Sequence, residues 1–372
     1  MTTAVKKCKM VDSEEGNYLS RDLTEIPEDV FERCNMISLY LDFNNIEILQ
    51  EDISRFQSLR CLSIIGNSLK TLPNSLGDVV NLEELYLNDN CLTSLPDSIC
   101  KLKKLRKIWL TGNQLEALPE EFGEVSSLQI LICDENNIHK LPKTFGLLEN
   151  LKELEFSNNA IETLLEGFGM LKSLQVLNLS NNKLEILPDS FGSMANLKVI
   201  DMSSNNLKAL PCKFQSAHCI EKLYCESNLL QDLPDWVSQM TNIVEFSVKD
   251  NQFQNQALPD ELPKVCSRLK HLDMSGNFMS KLPENLGALE KLEFLHLGSV
   301  IGELERRNFQ NGNWLPMIPD SICDLQNLRE LHVDENQIRD LPDNFGNLIS
   351  LETLDLGNLF VYVHKVGVTC KK

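Results

Sequence analysis

The sequence predicts an α/β solenoid: a curved horseshoe with parallel strands on its concave face and short helices or irregular segments on its convex face. Two observations predict this fold. An asparagine recurs every 23 residues from Asn44 to Asn251, and each lies within the pattern Leu-x-x-Leu-x-Leu-x-x-Asn-x-Leu-x-x-Leu-Pro. Self-similarity at a fixed period of this length is the signature of a stacked array. The ladder continues less evenly at Asn277, Asn313 and Asn336, which gives about 13 repeats.

Each part of the repeat predicts one element. The Leu-x-Leu alternation has period two and indicates a short strand with one buried face. Stacked copies pair these strands in parallel, about 4.8 Å apart. The asparagine follows the strand where the chain turns, and we expect its amide to satisfy backbone groups of neighbouring turns. The Leu-Pro pair ends the strand because proline fixes φ, and the following segment supplies further core residues from a short helical or irregular stretch.

The repeats divide the chain into a long array and two tails. We expect an N-terminal tail over 1–18, a repeat domain over 19–358 and a C-terminal tail or cap over 359–372. A capping helix is expected at 29–34. A strand at 360–363 is expected to cover the last edge, because uncovered strands invite association; a dimer-forming edge or a truncated array is the alternative.

An insertion near 298–312 interrupts the array. The interval from Leu297 to the ladder residue Asn313 is thirteen residues longer than in other repeats and contains Arg306 and Arg307. One interpretation is a flexible surface loop. The other is a protrusion that contacts a partner through these arginines, because insertions in solenoids tend to map to one binding face.

Composition and charge exclude several classes of partner. The chain has 372 residues with 35 Lys and Arg against 54 Asp and Glu, a formal net charge of −19. Nucleic acid and anionic membranes need a positive surface, so neither is expected as a partner. No apolar run approaches the roughly 18 residues of a membrane span, and the first residues lack the apolar stretch of a signal peptide. We expect a cytoplasmic monomer without an integral membrane segment.

Cysteine spacing is consistent with that location. None of the 12 cysteines forms Cys-x-x-Cys, so the spacing of zinc and redox motifs is missing. The repeat register puts Cys133 and Cys225 where leucine points into the core, and Cys100 and Cys323 where glycine normally lies. We expect small buried thiols at these four positions rather than disulfides.

The solvent-facing strand positions are the candidate partner-binding site. Two residues per repeat, on either side of a buried one, face the concave side of the predicted sheet. Exposed aromatic residues on a rigid sheet are typical binding anchors, and an acidic strip beyond them suits a partner with a basic patch. Mutual packing of the aromatics, and a solvated acidic face without a partner, are the alternatives. The candidate residues are Tyr40, Tyr86, Trp109, Ile130, Ile132, Glu153, Glu155, Asp201 and Tyr224, together with Arg306 and Arg307 of the insertion.

One C-terminal column combines histidines and acids. Asp273, His296, His332 and Asp355 occupy equivalent positions, and the two imidazoles are expected near 5 Å apart. A response to pH and binding of a metal ion are both conceivable. Ordinary surface histidines are the expected outcome, and no metal or cofactor is assigned.

No catalytic arrangement emerges from the sequence. A glycine-rich phosphate loop, Gly-x-Ser-x-Gly and His-Glu-x-x-His are all missing. The repeats also leave no segment large enough for a catalytic domain. We expect a protein that is not an enzyme.

The repeat unit, for example Leu95-Pro96-Asp-Ser-Ile-Cys-Lys-Leu102, resembles a known class. It is the leucine-rich repeat, and the 23-residue form with Leu-Pro is similar to the Ras–Raf scaffold family, the repeat domains of Erbin and Scribble, and the plant Ras-group proteins. The resemblance implies a non-catalytic scaffold that holds partner proteins on its concave face, in small-GTPase signalling of the Ras type. The alternatives are a regulatory subunit of a phosphatase or ubiquitin ligase, or a self-assembling structural component.

Overall fold

The computed structural model describes residues 15–299 and 312–357, which fall into two compact units. Unit 1 comprises Met1–Ile161 with Met170–Ser173, and unit 2 comprises Glu162–Gly169 with Leu174–Lys372. Most of the predicted N-terminal tail, nearly all of the insertion with Arg306 and Arg307, and the C-terminal tail lie outside the described residues.

A parallel sheet runs through unit 1, with each strand hydrogen-bonded to the next one in the sequence. Every strand has three residues with a buried central residue, and the two flanking residues are exposed or half-buried except at Ser63 of β3, which is buried. The first strand lies four residues before Leu19, where the repeats were expected to begin. The strands are β1 (Glu15–Asn17), β2 (Ser38–Tyr40), β3 (Cys61–Ser63), β4 (Glu84–Tyr86), β5 (Lys107–Trp109), β6 (Ile130–Ile132) and β7 (Glu153–Glu155).

Unit 2 has the same pattern of parallel strands and also contains a small second sheet. The main strands are β8 (Val176–Asn178), β9 (Val199–Asp201), β10 (Lys222–Tyr224), β11 (Glu245–Ser247), β13 (His271–Asp273), β15 (Phe294–His296), β16 (Glu330–His332) and β17 (Thr353–Asp355). The small sheet pairs β12 (Gln254–Asn255) with β14 (Phe278–Met279) in parallel. It lies where the repeats lengthen, so the extra residues form ordered structure.

Short 3₁₀ helices follow the Leu-Pro pairs, as the repeat pattern predicts. Pro73, Pro96, Pro142 and Pro188 each stand at the N-cap in an extended conformation, because a fixed φ suits the last residue before a helix begins. The helices are Glu51–Arg55, Asn74–Asp78, Asp97–Lys101, Phe122–Glu124, Lys143–Leu147, Glu166–Met170, Asp189–Ser193, Ala217–Cys219, Asp235–Gln239, Leu286–Ala288, Asp320–Asp324 and Phe345–Asn347, with one α-helical turn, α1 (Leu262–Val265).

The expected capping helix at 29–34 is not formed. This segment makes consecutive turns, in which the Val30 N–H donates to Pro27 and the Arg33 N–H donates to Val30. Val30 and Phe31 are buried here, so packing of these two side chains, rather than a helical backbone, covers the start of the core.

The ladder asparagines tie each turn to the one before it. Asn113 donates through Nδ2 to the carbonyl oxygens of Leu87 and Leu110, both at 2.9 Å, and accepts through Oδ1 from the Leu92 N–H at 3.0 Å. Asn136 makes the equivalent bonds to Leu110 and Leu115. Leucine could make none of these bonds, so the predicted role of the asparagine amide is confirmed.

In most repeats the residue before the ladder asparagine adopts the left-handed conformation, which the sequence pattern does not reveal. Glycine holds this position at Gly66 and Gly112, but Phe43, Asp89 and Glu135 adopt φ of 54–55° in other repeats. Left-handed backbone disfavours residues with a Cβ atom. The bonds of the following asparagine fix the turn in spite of this preference.

A second glycine position brings successive repeats into close contact on the side of the 3₁₀ helices. A Cβ atom on Gly123 would lie 1.8 Å from the carbonyl oxygen of Thr144. The equivalent positions Cys100 and Cys323 are buried, as are the core residues Cys133 and Cys225. The prediction of buried thiols at these four sites is confirmed.

We predict that Asn113→Ala lowers the free energy of unfolding by about 2–3 kcal/mol, because it leaves the buried N–H of Leu92 without a partner and removes one of the two amides that donate to the Leu87 carbonyl. Chemical denaturation measures this change. The control Asn150→Ala removes an exposed amide that donates to Ser126 and should cost less than about 1 kcal/mol. Equal losses in the two variants would contradict the role of the ladder.

We predict that Gly123→Ala destabilises the protein by about 1–3 kcal/mol, because the new methyl group must displace the backbone at Thr144. Thermal and urea unfolding measure the loss. Cys100→Ala is the matched control, since this position already accommodates a Cβ atom, and about 1 kcal/mol or less is expected from the lost sulfur. A Gly123→Ala variant as stable as the wild type would show that the two repeats separate easily.

Candidate functional site

An apolar patch lies on the solvent-facing side of the unit 1 sheet. Tyr86, Trp109 and Ile132 are direct neighbours in register on β4, β5 and β6, and Ile130 lies beside Ile132. Trp109 is 38% exposed, and the other three are half-buried. We refer to these four residues as the aromatic patch.

Tyr40 is separated from the aromatic patch. It lies on β2, and the residue between it and Tyr86 in register is Ser63. Ser63 is buried and donates to Asp42. The predicted row of exposed side chains is therefore interrupted at β3, because a small hydroxyl group is covered by its larger neighbours.

Two interactions fix the aromatic rings of the patch. The rings of Tyr86 and Trp109 meet edge to face with centroids 5.4 Å apart. The Tyr86 hydroxyl donates to Glu84 at 2.9 Å, and Lys107 pairs with the same carboxylate at 2.9 Å. Burial and Glu84 raise the pKa of Tyr86, so its hydroxyl stays a donor at neutral pH. The rings of Tyr86 and Trp109 thus pack against each other and still remain partly exposed, so the pair forms a rigid aromatic surface.

An acidic border adjoins the patch. Glu153 and Glu155 on β7 lie opposite Ile130 and Ile132 in register. Burial, followed by the charges of Asp134 and Glu153, raises the pKa of Glu155 to about 7. Asp134 is itself held by Ser157, whose N–H and hydroxyl donate to it at 2.6 and 2.8 Å. The crowding of carboxylates beside an apolar surface would favour a cationic group of a partner.

Unit 2 places Asp201 and Tyr224 opposite each other on β9 and β10. Asp201 accepts from the N–H of Ser203 at 2.9 Å and from its hydroxyl. Tyr224 donates to Glu245, and Lys222 pairs with Glu245 at 2.7 Å. Both side chains therefore form hydrogen bonds within unit 2. Like Tyr86, Tyr224 donates to a glutamate that also pairs with a lysine.

A second aromatic pair was missed by the sequence argument. Phe278 and Trp314 in unit 2 are 39% and 49% exposed, and their rings meet edge to face at 5.5 Å. Each follows a ladder asparagine directly, a position that also exposes Leu229. Assigning the residue after each ladder asparagine to the solvent-facing side, as was done for the strand positions, would have identified this pair.

The histidine–acid column of unit 2 forms as predicted. Asp273, His296 and His332 are neighbours in register, and the rings of His296 and His332 stack with centroids 4.5 Å apart. Burial alone would lower the pKa of His296, but the hydrogen bond and charge of Asp273, together with Glu330, raise it above its usual value. The expected ring spacing near 5 Å is confirmed.

Comparison with protein families identifies the repeat. The family described as "Leucine-rich repeat region" matches residues 94–183, and that described as "Leucine rich repeat" matches 57–115 and 165–207. A further leucine-rich-repeat family matches 268–289 and 327–348. The chain is built of leucine-rich repeats.

Solved structures support the same fold for this leucine-rich-repeat chain. A leucine-rich-repeat protein of Leptospira interrogans is 27% identical with a TM-score of 0.70, and 90% of this chain and 93% of that chain are covered. The plant peptide hormone receptor RGFR1, in complex with RGF2, is 25% identical with a TM-score of 0.79, at coverages of 91% and 54%.

A curated relative matches only in part. Mouse leucine-rich repeat serine/threonine-protein kinase 1 is 28% identical over 132 residues, which is 30% of this leucine-rich-repeat chain and 7% of the kinase. The comparison therefore concerns a small part of that protein. Across the residues that the structure describes, we find no helix with the length and apolar character to cross a bilayer.

We predict that Glu155→Gln flattens the pH dependence of stability. The folded carboxyl has a pKa of about 7, against about 4.3 in an unfolded chain. Between these values the folded state binds more protons, so its stability falls as pH rises. The variant should be more stable than the wild type at pH 8 by about 1 kcal/mol, a value discounted for solvent screening.

Urea unfolding at pH 5 and pH 8 measures this difference. The control Glu149→Gln changes an exposed carboxylate and should leave the pH dependence unaltered. If the wild type and Glu155→Gln lose stability in parallel as pH rises, the desolvation of Glu155 is not significant.

Proposed function

We propose that this leucine-rich-repeat protein is a non-catalytic scaffold that binds a partner protein through the aromatic patch of unit 1. The observation that carries the proposal is the contiguous row of Tyr86, Trp109 and Ile132 on a rigid parallel sheet. A large exposed ring held by its neighbours loses little conformational freedom on binding, which makes it a good anchor.

The acidic border specifies the kind of partner. Glu153 and Glu155 adjoin the patch, so the complementary surface is an apolar pocket next to basic side chains. Such charge complementarity accelerates association and makes it sensitive to salt. We propose a small GTPase of the Ras type as the partner, as the resemblance to Ras-group scaffolds implies, and a cytoplasmic location, which the free thiols of the described cysteines favour.

The relatives are consistent with a binding role. RGFR1, a plant peptide hormone receptor, is in complex with RGF2 in the structure named above. In the present chain, the identity of the two outward side chains on each strand would determine which partner is bound. Asp201 and Tyr224 of unit 2, and Arg306 and Arg307 outside the described residues, stay predictions as further contacts.

We predict that Trp109→Ala combined with Tyr86→Ala weakens partner binding at least 30-fold, since hot-spot truncation costs more than about 2 kcal/mol. Binding to a panel of purified Ras-type GTPases, each loaded with a GTP analogue or GDP, is measured by surface plasmon resonance. Ile48→Ala removes an apolar side chain of unit 1 that is 68% exposed and lies outside the patch, so it serves as the matched control.

Charge reversal separates the two parts of the site. Glu153→Lys with Glu155→Lys should slow association at low salt and have less effect at high salt. Affinity purification from cells with the wild type and the Trp109→Ala, Tyr86→Ala variant extends the test to other proteins. Equal recovery of every partner by both proteins would exclude the aromatic patch, and recovery of a phosphatase or ubiquitin ligase instead of a GTPase would replace the proposed partner.

A further inference from the structure

Three imidazoles and two carboxylates converge on the solvent-facing side of the unit 2 sheet. His271 and Asp273 lie on β13, His296 on β15, and Glu330 and His332 on β16. Two overlapping triads have ligand atoms within 4.8 Å of one another: His271, Asp273 and His296, and His296, Glu330 and His332. His296 belongs to both, so the orientation of its ring decides which triad can act as one site.

The second triad brings its donor atoms to a common point. The Nε2 atoms of His296 and His332 lie 3.3 and 2.8 Å from the same oxygen, Oε1 of Glu330. Ligands in a tetrahedral zinc site are about 3.3 Å apart, given metal–nitrogen distances near 2.0–2.1 Å. The separations from Glu330 Oε1 are therefore close to those that a bound ion would require.

The Nε2 atom of His296 has an unusual environment. It is buried from solvent and makes no aligned hydrogen bond within the described part of the chain, although Glu330 Oε1 is near. A buried ring nitrogen whose nearest acceptor is misaligned is unfavourable. A cation coordinated by Nε2 would give this atom a well-placed partner.

Asp273 supports this assignment from the other side of the ring. Its Oδ2 lies 3.5 Å from Nδ1 of His296, and its Oδ1 accepts from the Ser275 N–H and hydroxyl at 2.9 and 2.6 Å. A carboxylate that accepts the second N–H of a ligating histidine fixes the ring and its tautomer in many metal sites. Asp273 is therefore a positioning residue for His296, which leaves Nε2 to face Glu330 and His332.

We propose that His296, Glu330 and His332 bind a divalent transition-metal ion of the zinc class. Two imidazoles and one carboxylate favour zinc and its neighbours over calcium or magnesium, which prefer oxygen ligands. Three protein ligands on the solvent-facing side of a sheet leave a further position for water or for a donor atom of a bound partner. The site lies in unit 2 and does not depend on the aromatic patch of unit 1.

Cobalt titration of the full, reduced chain tests the proposal. Co²⁺ replaces zinc in such sites, its visible bands report coordination, and ligation by cysteine would add a near-ultraviolet charge-transfer band. We expect one equivalent to bind without that band and to be displaced by Zn²⁺. Thermal unfolding in a chelator confirms that each variant is folded.

Variants distinguish the two triads. His332→Ala and Glu330→Gln should abolish this cobalt spectrum, and Asp273→Asn should weaken binding about 10–100-fold. The matched control His218→Ala removes an exposed histidine of the same unit and should leave binding unchanged. Retention of the spectrum by His332→Ala, a thiolate band, or loss in His271→Ala with retention in Glu330→Gln would overturn the proposal.

Discussion

The side-chain amides of the ladder asparagines are the interaction on which the rest of this structure depends. Each three-residue strand ends in a turn whose carbonyl and N–H groups are too deeply buried for water to reach. One amide satisfies groups in its own turn and in the preceding repeat, as the bonds of Asn113 show. The position of every following strand depends on these bonds, and so does the left-handed conformation of the residue before most of the asparagines.

The regular stacking that the asparagine bonds impose also determines which side chains lie next to each other on the solvent-facing side of the sheet. A three-residue strand offers two side chains to solvent, and its neighbour offers the corresponding two about 4.8 Å away. Side chains in one row must therefore meet their neighbours, whether they are the rings of Tyr86 and Trp109 or those of His296 and His332. Specificity arises from which residues occupy adjacent strands, because the strands of the main sheet pair in the same parallel manner from repeat to repeat.

Periodicity made the fold and the faces of the strands predictable, since both depend only on spacing. It identified the asparagine bonds and the buried thiols such as Cys133, and it placed short helical or irregular segments after Leu-Pro, which the structure shows to be 3₁₀ helices. Periodicity could not predict how deeply each outward residue is buried, because burial depends on the size of neighbouring side chains. Ser63 is covered and Glu155 is partly desolvated, although both occupy outward positions. The helix expected at 29–34 failed for a related reason, since packing of Val30 and Phe31 overrides local preference. Phe278 and Trp314 were missed because only the strand positions had been assigned to a face.

The constant spacing of the asparagine bonds has an evolutionary consequence. In the regular 23-residue repeats, as at Asn113, the amide reaches backbone groups 21 and 26 residues earlier, on either side of the period. Duplication or loss of one whole unit therefore leaves every amide opposite an equivalent partner. Such a chain can gain or lose repeats by duplication or deletion in the gene while the fold is preserved. Each duplicated strand adds two outward side chains on which selection can act.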